Sequence, residues 1–389
     1  MPRLYLFLAT SLSLPALYLK LTGAHLTPGL DALLFGLAIL GAAFLLSWAA
    51  EVAQMDISKG LAVAILALIT VLPEYAVDMY FAWTAAKDPA FTHYALANMT
   101  GANRLLVGVG WPVVVLLFAL RFKKVGVKLE AGHRTDVLAL GLASCYAIVI
   151  PWKGDLNLWD TLFLVAIFCV YIYRVAQAEL HEPELIGPAR WLGGLPATSR
   201  RITGLAMFVF SGAVIFMSAE PFADSLVAAG KSWGIDEFLL VQWLAPLASE
   251  APEFIIAIIW TWRGDALAGL GALVSSLVNQ WSLLVGTLPL VYSLGLGRPG
   301  ALVFDARQSH EMWLTCAQAV LAVAILANLS LSWYGALTLF TLFMVQLVFQ
   351  QIRLEISFVY AALALLLIIK DRRHYPALLK AWFTTKAPT

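Results

Sequence analysis

The chain has 389 residues, of which 61% are hydrophobic and only 13% charged, and its formal net charge at pH 7 is +1. Soluble domains carry about 25% charged residues, so a chain this apolar is expected to use the lipid bilayer as its solvent. The near-neutral charge, without a basic stripe, argues against a nucleic-acid partner, and the sequence has no phosphate-binding glycine loop that would indicate an ATP-driven protein.

Apolar stretches of about twenty residues, the length that crosses a bilayer, follow one another along the whole chain. They predict an all-α polytopic membrane protein with about twelve transmembrane helices. The spans are expected near residues 4–21, 31–54, 60–84, 91–120, 135–151, 157–177, 202–228, 236–262, 266–296, 312–331, 335–350 and 354–370.

The longest hydrophilic stretch runs from Glu179 to Arg201 and divides the chain nearly in half. Many transporters consist of two halves of like fold that are inserted in opposite directions. Five helices on each side of this stretch satisfy such an inversion, because an odd number of spans reverses the orientation of the second half. One additional helix is then left at each end of the chain.

Lysine and arginine residues are segregated between the loops. With twelve spans, one membrane face collects most of them, from Arg3 at the start to Arg372, Arg373, Lys380 and Lys386 in the tail. Because positive residues mark the cytoplasmic side, we expect a multi-pass protein of the plasma (inner) membrane with both termini in the cytoplasm.

Acidic residues stand inside the third and eighth spans, where ionisable groups are costly and rarely accidental. Each span contains a proline–glutamate pair, Pro73-Glu74 and Pro252-Glu253. Proline removes an amide donor and clashes with the carbonyl group four residues earlier. The resulting kink is expected to expose carbonyl oxygens, which are good ligands for hard cations, beside each glutamate.

Hydroxyl groups and further acids flank the two glutamates. Thr70 and Ser249 stand four residues before them, on the same face of each helix. Asp78 follows Glu74 by one turn, and Glu250 stands next to Ser249. We therefore predict that these side chains belong to one cation site near the middle of the membrane.

The helix after each pair carries amides and hydroxyls among small residues, in segments 97–103 and 271–280. Such oxygens can coordinate a partly dehydrated ion, and small residues let helices approach closely. The same order of proline–glutamate, charged turn and small polar helix in both halves predicts an internal repeat around a shared site. The candidate ligands in these helices are Asn98, Asn103, Ser276 and Gln280.

These segments resemble the signatures of the cation/calcium exchanger superfamily, whose members include the sodium/calcium exchangers. That family pairs Gly-Thr-Ser-Leu-Pro-Glu-Leu with Gly-Asn-x-x-Gly-Ser-Asn-x-x-Asn in each repeat. Segment 69–75 matches the first signature at Thr, Leu, Pro and Glu, and segment 248–254 keeps Pro-Glu, with Ser249 in place of Thr. The second signature is kept in part at Asn98, Gly101, Asn103, Gly271 and Ser276.

The resemblance implies two inverted repeats of five helices. We accordingly predict an extra N-terminal helix in 1–29, repeats in 30–178 and 202–350 around a cytoplasmic linker at 179–201, and an extra helix with a cytoplasmic tail in 351–389. It also implies that Glu74 and Glu253 are the central ion ligands, assisted by Thr70, Ser249 and Ser276.

The sequence departs from the family signatures at several positions. Val71 and Glu250 replace two serines, Ala102 replaces another serine, and Leu106 replaces the last asparagine of the first repeat. Arg104 directly follows Asn103 in the second signature of the first repeat and adds a fixed positive charge there. The loss of oxygen ligands and the gain of carboxylates leave the set of transported ions open.

We therefore predict a secondary active cation antiporter, not an enzyme, that exchanges sodium or protons for calcium through a midplane carboxylate site. No cofactor is expected, the partners are membrane lipid and small inorganic cations such as Ca²⁺, Na⁺ or H⁺, and the sequence predicts no oligomeric state. Two alternatives stay open: a monovalent cation/proton antiporter, and a nontransporting scaffold whose buried acids are structural. In the scaffold, the acids would pair with Arg104, and the asparagines would only join helices.

Overall fold

The computed structural model describes residues 2–56, 71–177, 185 and 187–383. Its architecture is all-α, as predicted. The helices of the first half are α1 (Pro2–Thr22), α2 (Pro28–Ala53), α3 (Leu72–Ala85), α4 (Thr92–Leu105), α5 (Trp111–Phe122), α6 (Arg134–Ala147), α7 (Val149–Lys153) and α8 (Leu158–Gln177).

The second half repeats this pattern. A short helix α9 (Gly187–Gly193) precedes α10 (Ala197–Trp233), α11 (Glu237–Trp262), α12 (Ala266–Asn279), α13 (Val285–Leu296), α14 (Ala306–Leu326), α15 (Trp333–Val348), α16 (Arg353–Lys370) and α17 (Tyr375–Phe383). Two small antiparallel pairs, Gly126–Lys128 with Ser330–Ser332 and Asp155–Leu156 with Leu302–Val303, connect loops. One-turn 3₁₀ segments occur at Pro89–Phe91, Ala131–His133 and Gln350–Ile352.

Ten helical segments in the described part of the chain are long and apolar enough to cross a membrane, and Trp333–Val348 is a shorter apolar helix. The third predicted span is described only from Val71 onward, because residues 57–70 lie outside the described residues. The predicted arrangement of about twelve spans is consistent with these helices. The sequence patterns therefore located the spans to within a few residues at most of their ends.

Short polar residues and glycines set several helix ends. Asp265 accepts a hydrogen bond from the amide of Ala268 at 2.9 Å, and Asp305 forms a reciprocal capping box with Gln308. These side chains satisfy amide groups that have no partner inside the helix. Gly234 ends α10 with φ of 66°, a left-handed conformation that glycine adopts at little cost.

The chain divides into two compact units. The first contains Met1–Phe81 and Val175–Pro252, and the second contains Ala82–Arg174 and Glu253–Thr389. Each unit thus combines segments from both halves of the chain. Helix α11 contributes its first part to the first unit and its remainder, from Glu253, to the second.

In the first unit, α2 packs along the long helix α10. A Cβ atom on Gly36 would lie 2.9 Å from the ring of Phe222, so the two helices are close because residue 36 has no side chain. Lys20 of α1 donates to Glu220 of α10 at 2.8 Å, and Tyr80 donates to Asp224 at 2.7 Å. The polar side chains of α10 therefore have partners on neighbouring helices.

Asp56, just after the end of α2, anchors the start of α10. It accepts hydrogen bonds from Arg200 at 2.7 and 2.8 Å and from Arg201 at 3.0 Å. The hydrogen bond from Arg200 is the main reason that the pKa of Asp56 is lowered from 3.8 to about 2, against the opposing effect of burial. Helix α10 begins at Ala197, so the end of the stretch predicted as a linker is helical.

In the second unit, α14 packs against α4, α6 and α16. The sequence predicted only a tail after the last span, but the structure places α17 there, packed against α6. Its Leu378 is buried. This helix has 9 residues, well short of the roughly twenty that mark a span, and a search for spans therefore overlooks it.

Candidate functional site

The two helices that carry the second signature have matching geometry. Helices α4 and α12 each have 14 residues, and each continues directly into a five-residue π-helix, Leu106–Gly110 or Gln280–Leu284. A constant offset of 174 residues relates the starts of the two helices and of the two π-helices. This correspondence confirms the internal repeat that the sequence predicted.

Each π-helix begins at the last position of the predicted signature, Leu106 or Gln280. In a π-helix the amides bond to carbonyl groups five residues back, a rare arrangement that is frequent at functional sites. The wider turn packs closely on its surroundings. In the first repeat, a Cβ atom on Gly108 would lie 2.4 Å from the ring of Phe343, and one on Gly110 would lie 2.6 Å from Phe254.

Glu253 and Ser276 are brought together in the second unit. The Ser276 hydroxyl donates to Oε2 of Glu253 at 2.6 Å, and the Ser276 side chain is buried. The helices approach closely because a Cβ atom on Gly269 would lie only 2.7 Å from the carbonyl oxygen of Ala257. Gly269 of α12 therefore positions the serine within reach of the glutamate on α11.

Glu74 and Asp78 lie one turn apart at the start of α3 and are 2% and 0% exposed. Pro73 is the second residue of α3, a position in the first turn that proline tolerates because its missing N–H needs no helical partner there. The position of the predicted kink is thus the first turn of a described helix, and the residues before Val71 lie outside the described residues. Thr70, predicted to assist Glu74, lies outside the described residues.

Ser249 and Glu250 are buried in the part of α11 that belongs to the first unit. The Ser249 hydroxyl donates to the carbonyl groups of Ala245 and Pro246, both at 3.2 Å. Helix α11 runs on through Pro246 and Pro252, and Pro252 has no N–H with which to bond the carbonyl group four residues earlier. Pro252 therefore gives no helical hydrogen bond to the carbonyl group of Ala248, one turn earlier.

The amide side chains predicted as ligands lie in the second unit, and Asn98, Asn103 and Gln280 are at most 2% exposed. Asn103 donates to the carbonyl oxygen of Met99 at 2.9 Å. Its own Oδ1 atom is buried and has no hydrogen-bond partner among the described residues. An unsatisfied buried acceptor is costly, and a bound cation is one group that would satisfy it.

Arg104 belongs to a buried polar cluster that the sequence analysis missed. Its Nη2 atom lies 2.5 Å from Oε2 of Glu311, and Arg353 pairs with the other carboxylate oxygen. Gln318 donates to the carbonyl oxygen of Arg104 at 3.2 Å, and Gln346 donates to Gln318 at 3.4 Å. Glu311 follows the exposed His310 near the start of α14, and no local sequence pattern marks Glu311 as a buried residue.

Comparison with known proteins gives a consistent result. The sequence profile of the family described as "sodium/calcium exchanger protein" matches residues 29–177 and 203–352. The crystal structure of the H⁺/Ca²⁺ exchanger CAX is similar to this chain, with 43% sequence identity and a TM-score of 0.94, over 99% of this chain and 97% of that one. No curated protein matched the chain.

Two more distant structures share the fold. The Ca²⁺/H⁺ antiporter YfkE is 15% identical and has a TM-score of 0.64, over 89% of this chain and 98% of that one. The sodium–calcium exchanger NCX_Mj is 14% identical and has a TM-score of 0.55, over 82% of this chain and 98% of that one. These similarities concern architecture, including the inverted repeats.

Proposed function

The chain belongs to the sodium/calcium exchanger protein family, a family of membrane cation exchangers, and we propose that it exchanges Ca²⁺ for protons. The sequence by itself put sodium first and protons second as the counter-ion. The 43% identity to an H⁺/Ca²⁺ exchanger over nearly the whole chain supports protons as the first choice instead. Its plasma-membrane location and cytoplasmic termini are part of the proposal and rest on the segregation of lysine and arginine.

The hydrogen bond from Ser276 to Glu253 is the observation that carries the proposal. It orients a carboxylate within a membrane-spanning helix at 2.6 Å from a hydroxyl oxygen. A carboxylate can bind either Ca²⁺ or a proton. An ionised carboxylate without a bound cation in a low-dielectric medium carries a large desolvation free energy. Two cargoes that compete for the same oxygen atoms give exchange, because the empty charged site resists reorientation.

The apolar departures from the family signatures support protons over sodium. Val71, Ala102 and Leu106 stand where the family has oxygen-bearing side chains, and all three are at most 2% exposed. Sodium needs several oxygen ligands, whereas a proton needs one basic atom. This chain thus lacks several hydroxyl and amide oxygens of the family site, but it has additional carboxylates at Asp78 and Glu250. That exchange of ligands favours proton binding over sodium binding.

We assign the ion ligands as the sequence predicted them, with Glu74 and Glu253 central. Among the residues described, no group of three or more His, Cys, Asp or Glu is arranged to hold a metal ion. The proposed site therefore completes the coordination of Ca²⁺ with hydroxyl, amide and main-chain oxygens or with water, all suitable ligands for this ion. The assisting groups are Thr70, Ser249, Asp78, Glu250, Asn98, Asn103, Ser276 and Gln280.

Alternating access is proposed to involve α2 and α10, which pack together within the first unit. These are the first helices of the two repeats. The close contact between Gly36 and Phe222 supports movement of the two helices as one body, as in transporters that rock or slide one bundle against another.

Calcium uptake into proteoliposomes tests the counter-ion. Vesicles with an outward proton gradient, an outward sodium gradient or neither are given external Ca²⁺. We expect uptake with the proton gradient and none above background with sodium. Uptake driven by sodium would overturn the assignment of protons, and no Ca²⁺ flux in either gradient would favour the monovalent antiporter or scaffold. The same uptake is measured with Glu253→Gln, which should abolish it. The control is Glu355→Gln, which changes an exposed acid at the start of α16 and should leave uptake in place.

A further inference from the structure

A long apolar groove lies between α14 and α16 in the second unit, away from the signature helices. Its volume is about 540 Å³. Trp313 and Val320 of α14 form one wall, and Phe358, Ala361, Leu365 and Ile368 of α16 contribute to the other. Helix α16 begins at Arg353, whereas the family profile ends at residue 352. The groove is therefore formed by a helix that lies beyond the shared exchanger repeats.

The groove is elongated along the membrane-crossing direction of α16. Its lining residues on this helix recur at three- and four-residue spacing from Leu354 to Ile368, which is a single helix face. At 1.5 Å per residue this stripe is about 21 Å long, and the hydrocarbon core is about 30 Å thick. These dimensions suit one extended acyl chain lying parallel to the helix.

The groove is partly open at the outer surface of α16. Phe358 is 66% exposed and Leu365 is 58% exposed, and both α14 and α16 are long and apolar enough to span the membrane. Among the described residues, no charged side chain lines the groove. A partly open apolar groove between two membrane-spanning helices faces lipid, and its lining suits a hydrocarbon chain.

One end of the groove meets a cluster of positive charge. Lys370 ends α16 two residues after Ile368, and Arg372 and Arg373 follow. All three are exposed, and Asp371 is the single acid among them. Basic residues immediately beyond a membrane helix attract anionic lipid headgroups. The charge at this end therefore selects an anionic lipid over a zwitterionic one.

We propose that this groove binds one acyl chain of an anionic phospholipid, with its headgroup held by Lys370, Arg372 and Arg373. The bound lipid would fill the space between the extra helix α16 and α14, the helix that carries Glu311. The proposal stands independently of which ions the protein exchanges.

Photo-crosslinking tests this proposal on the full-length protein in nanodiscs. The probes are phosphatidylglycerol and phosphatidylcholine that carry the same photoreactive acyl chain, and labelled peptides are identified by mass spectrometry. We expect the phosphatidylglycerol probe to label the α14 and α16 peptides. Ala361→Trp, which fills the groove, should abolish that labelling. Ala362→Trp is the matched control, since residue 362 is exposed on the same helix and does not line the groove.

The headgroup is tested with the double variant Arg372→Gln/Arg373→Gln, which should reduce phosphatidylglycerol labelling by roughly tenfold or more. Size-exclusion profiles matching the wild type establish that each variant is folded. Equal labelling by both probes would mean unselective surrounding lipid and would overturn the proposal. Unchanged labelling in Ala361→Trp would also overturn it, as would crosslinks showing that α16 of a second copy occupies the groove.

Discussion

Arg104 and Glu311 form a buried ion pair in which Nη2 lies 2.5 Å from Oε2 and each side chain is 1% exposed. The same carboxylate also pairs with Arg353, the first residue of α16. The pair therefore joins the end of α4, which carries the second signature of the first repeat, to α14 and to the extra C-terminal helix. Two guanidinium groups thus pair with the two oxygen atoms of one carboxylate.

We predict that Glu311→Gln strongly destabilises the protein. Loss of one partner of a buried ion pair leaves an uncompensated charge and typically costs about 3–5 kcal/mol. The midpoint of thermal unfolding in detergent should fall well below that of the wild type. His310→Gln, an exposed change at the neighbouring position, is the control and should leave the midpoint in place. Equal midpoints for the two variants would contradict a stabilising role for the cluster.

Ser276→Ala is expected to weaken calcium transport without unfolding the protein. It removes the 2.6 Å hydrogen bond to Glu253, and hydrogen bonds to charged groups are worth about 1.5–3 kcal/mol. The KM for Ca²⁺ should therefore rise by at least about tenfold, and Ser276→Thr should recover much of the loss.

Thr287→Val is the control for this prediction, because the Thr287 hydroxyl donates only to carbonyl groups of its own helical segment. The interpretation of Ser276 fails if both variants change the KM for Ca²⁺ equally, or if Ser276→Ala leaves it at the wild-type value.

Gly269→Ala should impair both stability and transport. The added Cβ atom would lie 2.7 Å from the carbonyl oxygen of Ala257, so α11 and α12 must move apart. Overpacking of this kind costs about 1–3 kcal/mol and draws Ser276 away from Glu253. The comparison is Gly212→Ala on α10, where no atom of the part of the chain that the structure describes lies within 4 Å of the added Cβ atom. That change should be neutral or stabilising, because alanine favours helix more than glycine. Similar behaviour of the two variants would contradict the packing argument.

The Asp56–Arg200 contact predicts a specific dependence of stability on pH. The pKa of Asp56 is about 2 in the folded protein against 3.8 in its ordinary state, so the folded state favours the ionised carboxylate. The contribution to stability is present above pH 3.8 and is lost as the pH falls toward 2. Thermal unfolding between pH 5 and pH 2 should therefore show a smaller loss of stability in Asp56→Asn than in the wild type. Parallel pH profiles for the two proteins would exclude this contribution.

The spans could be predicted from the sequence because length and hydropathy determine them directly. Glu253 and Ser276 could also be predicted as members of one site, because a glutamate after proline and a serine among small residues are unusual inside an apolar span. The structure places these two side chains in contact, and their role as calcium ligands stays a prediction.

Other features depend on information that local patterns do not carry. The π-helices change the main-chain hydrogen bonding over only five residues each, too few to alter the hydrophobic periodicity. The partners of Arg104 come from distant parts of the chain, on α14 and at the start of α16. Helix α17 has only 9 residues, too few to be recognised as a span. Its position against α6 depends on tertiary packing, which the local sequence does not determine.

The central claim is that Glu253 belongs to a site where Ca²⁺ and protons compete, and proton release driven by calcium tests it most directly. Proteoliposomes are filled with Ca²⁺-free buffer and placed in a medium of the same pH that contains a pH-sensitive dye. Ca²⁺ is then added to the outside, without any initial proton gradient. We predict that inward Ca²⁺ movement acidifies the external medium in the wild type and in Glu355→Gln, and that Glu253→Gln abolishes the signal. Calcium entry without external acidification, or full acidification with Glu253→Gln, would contradict the account.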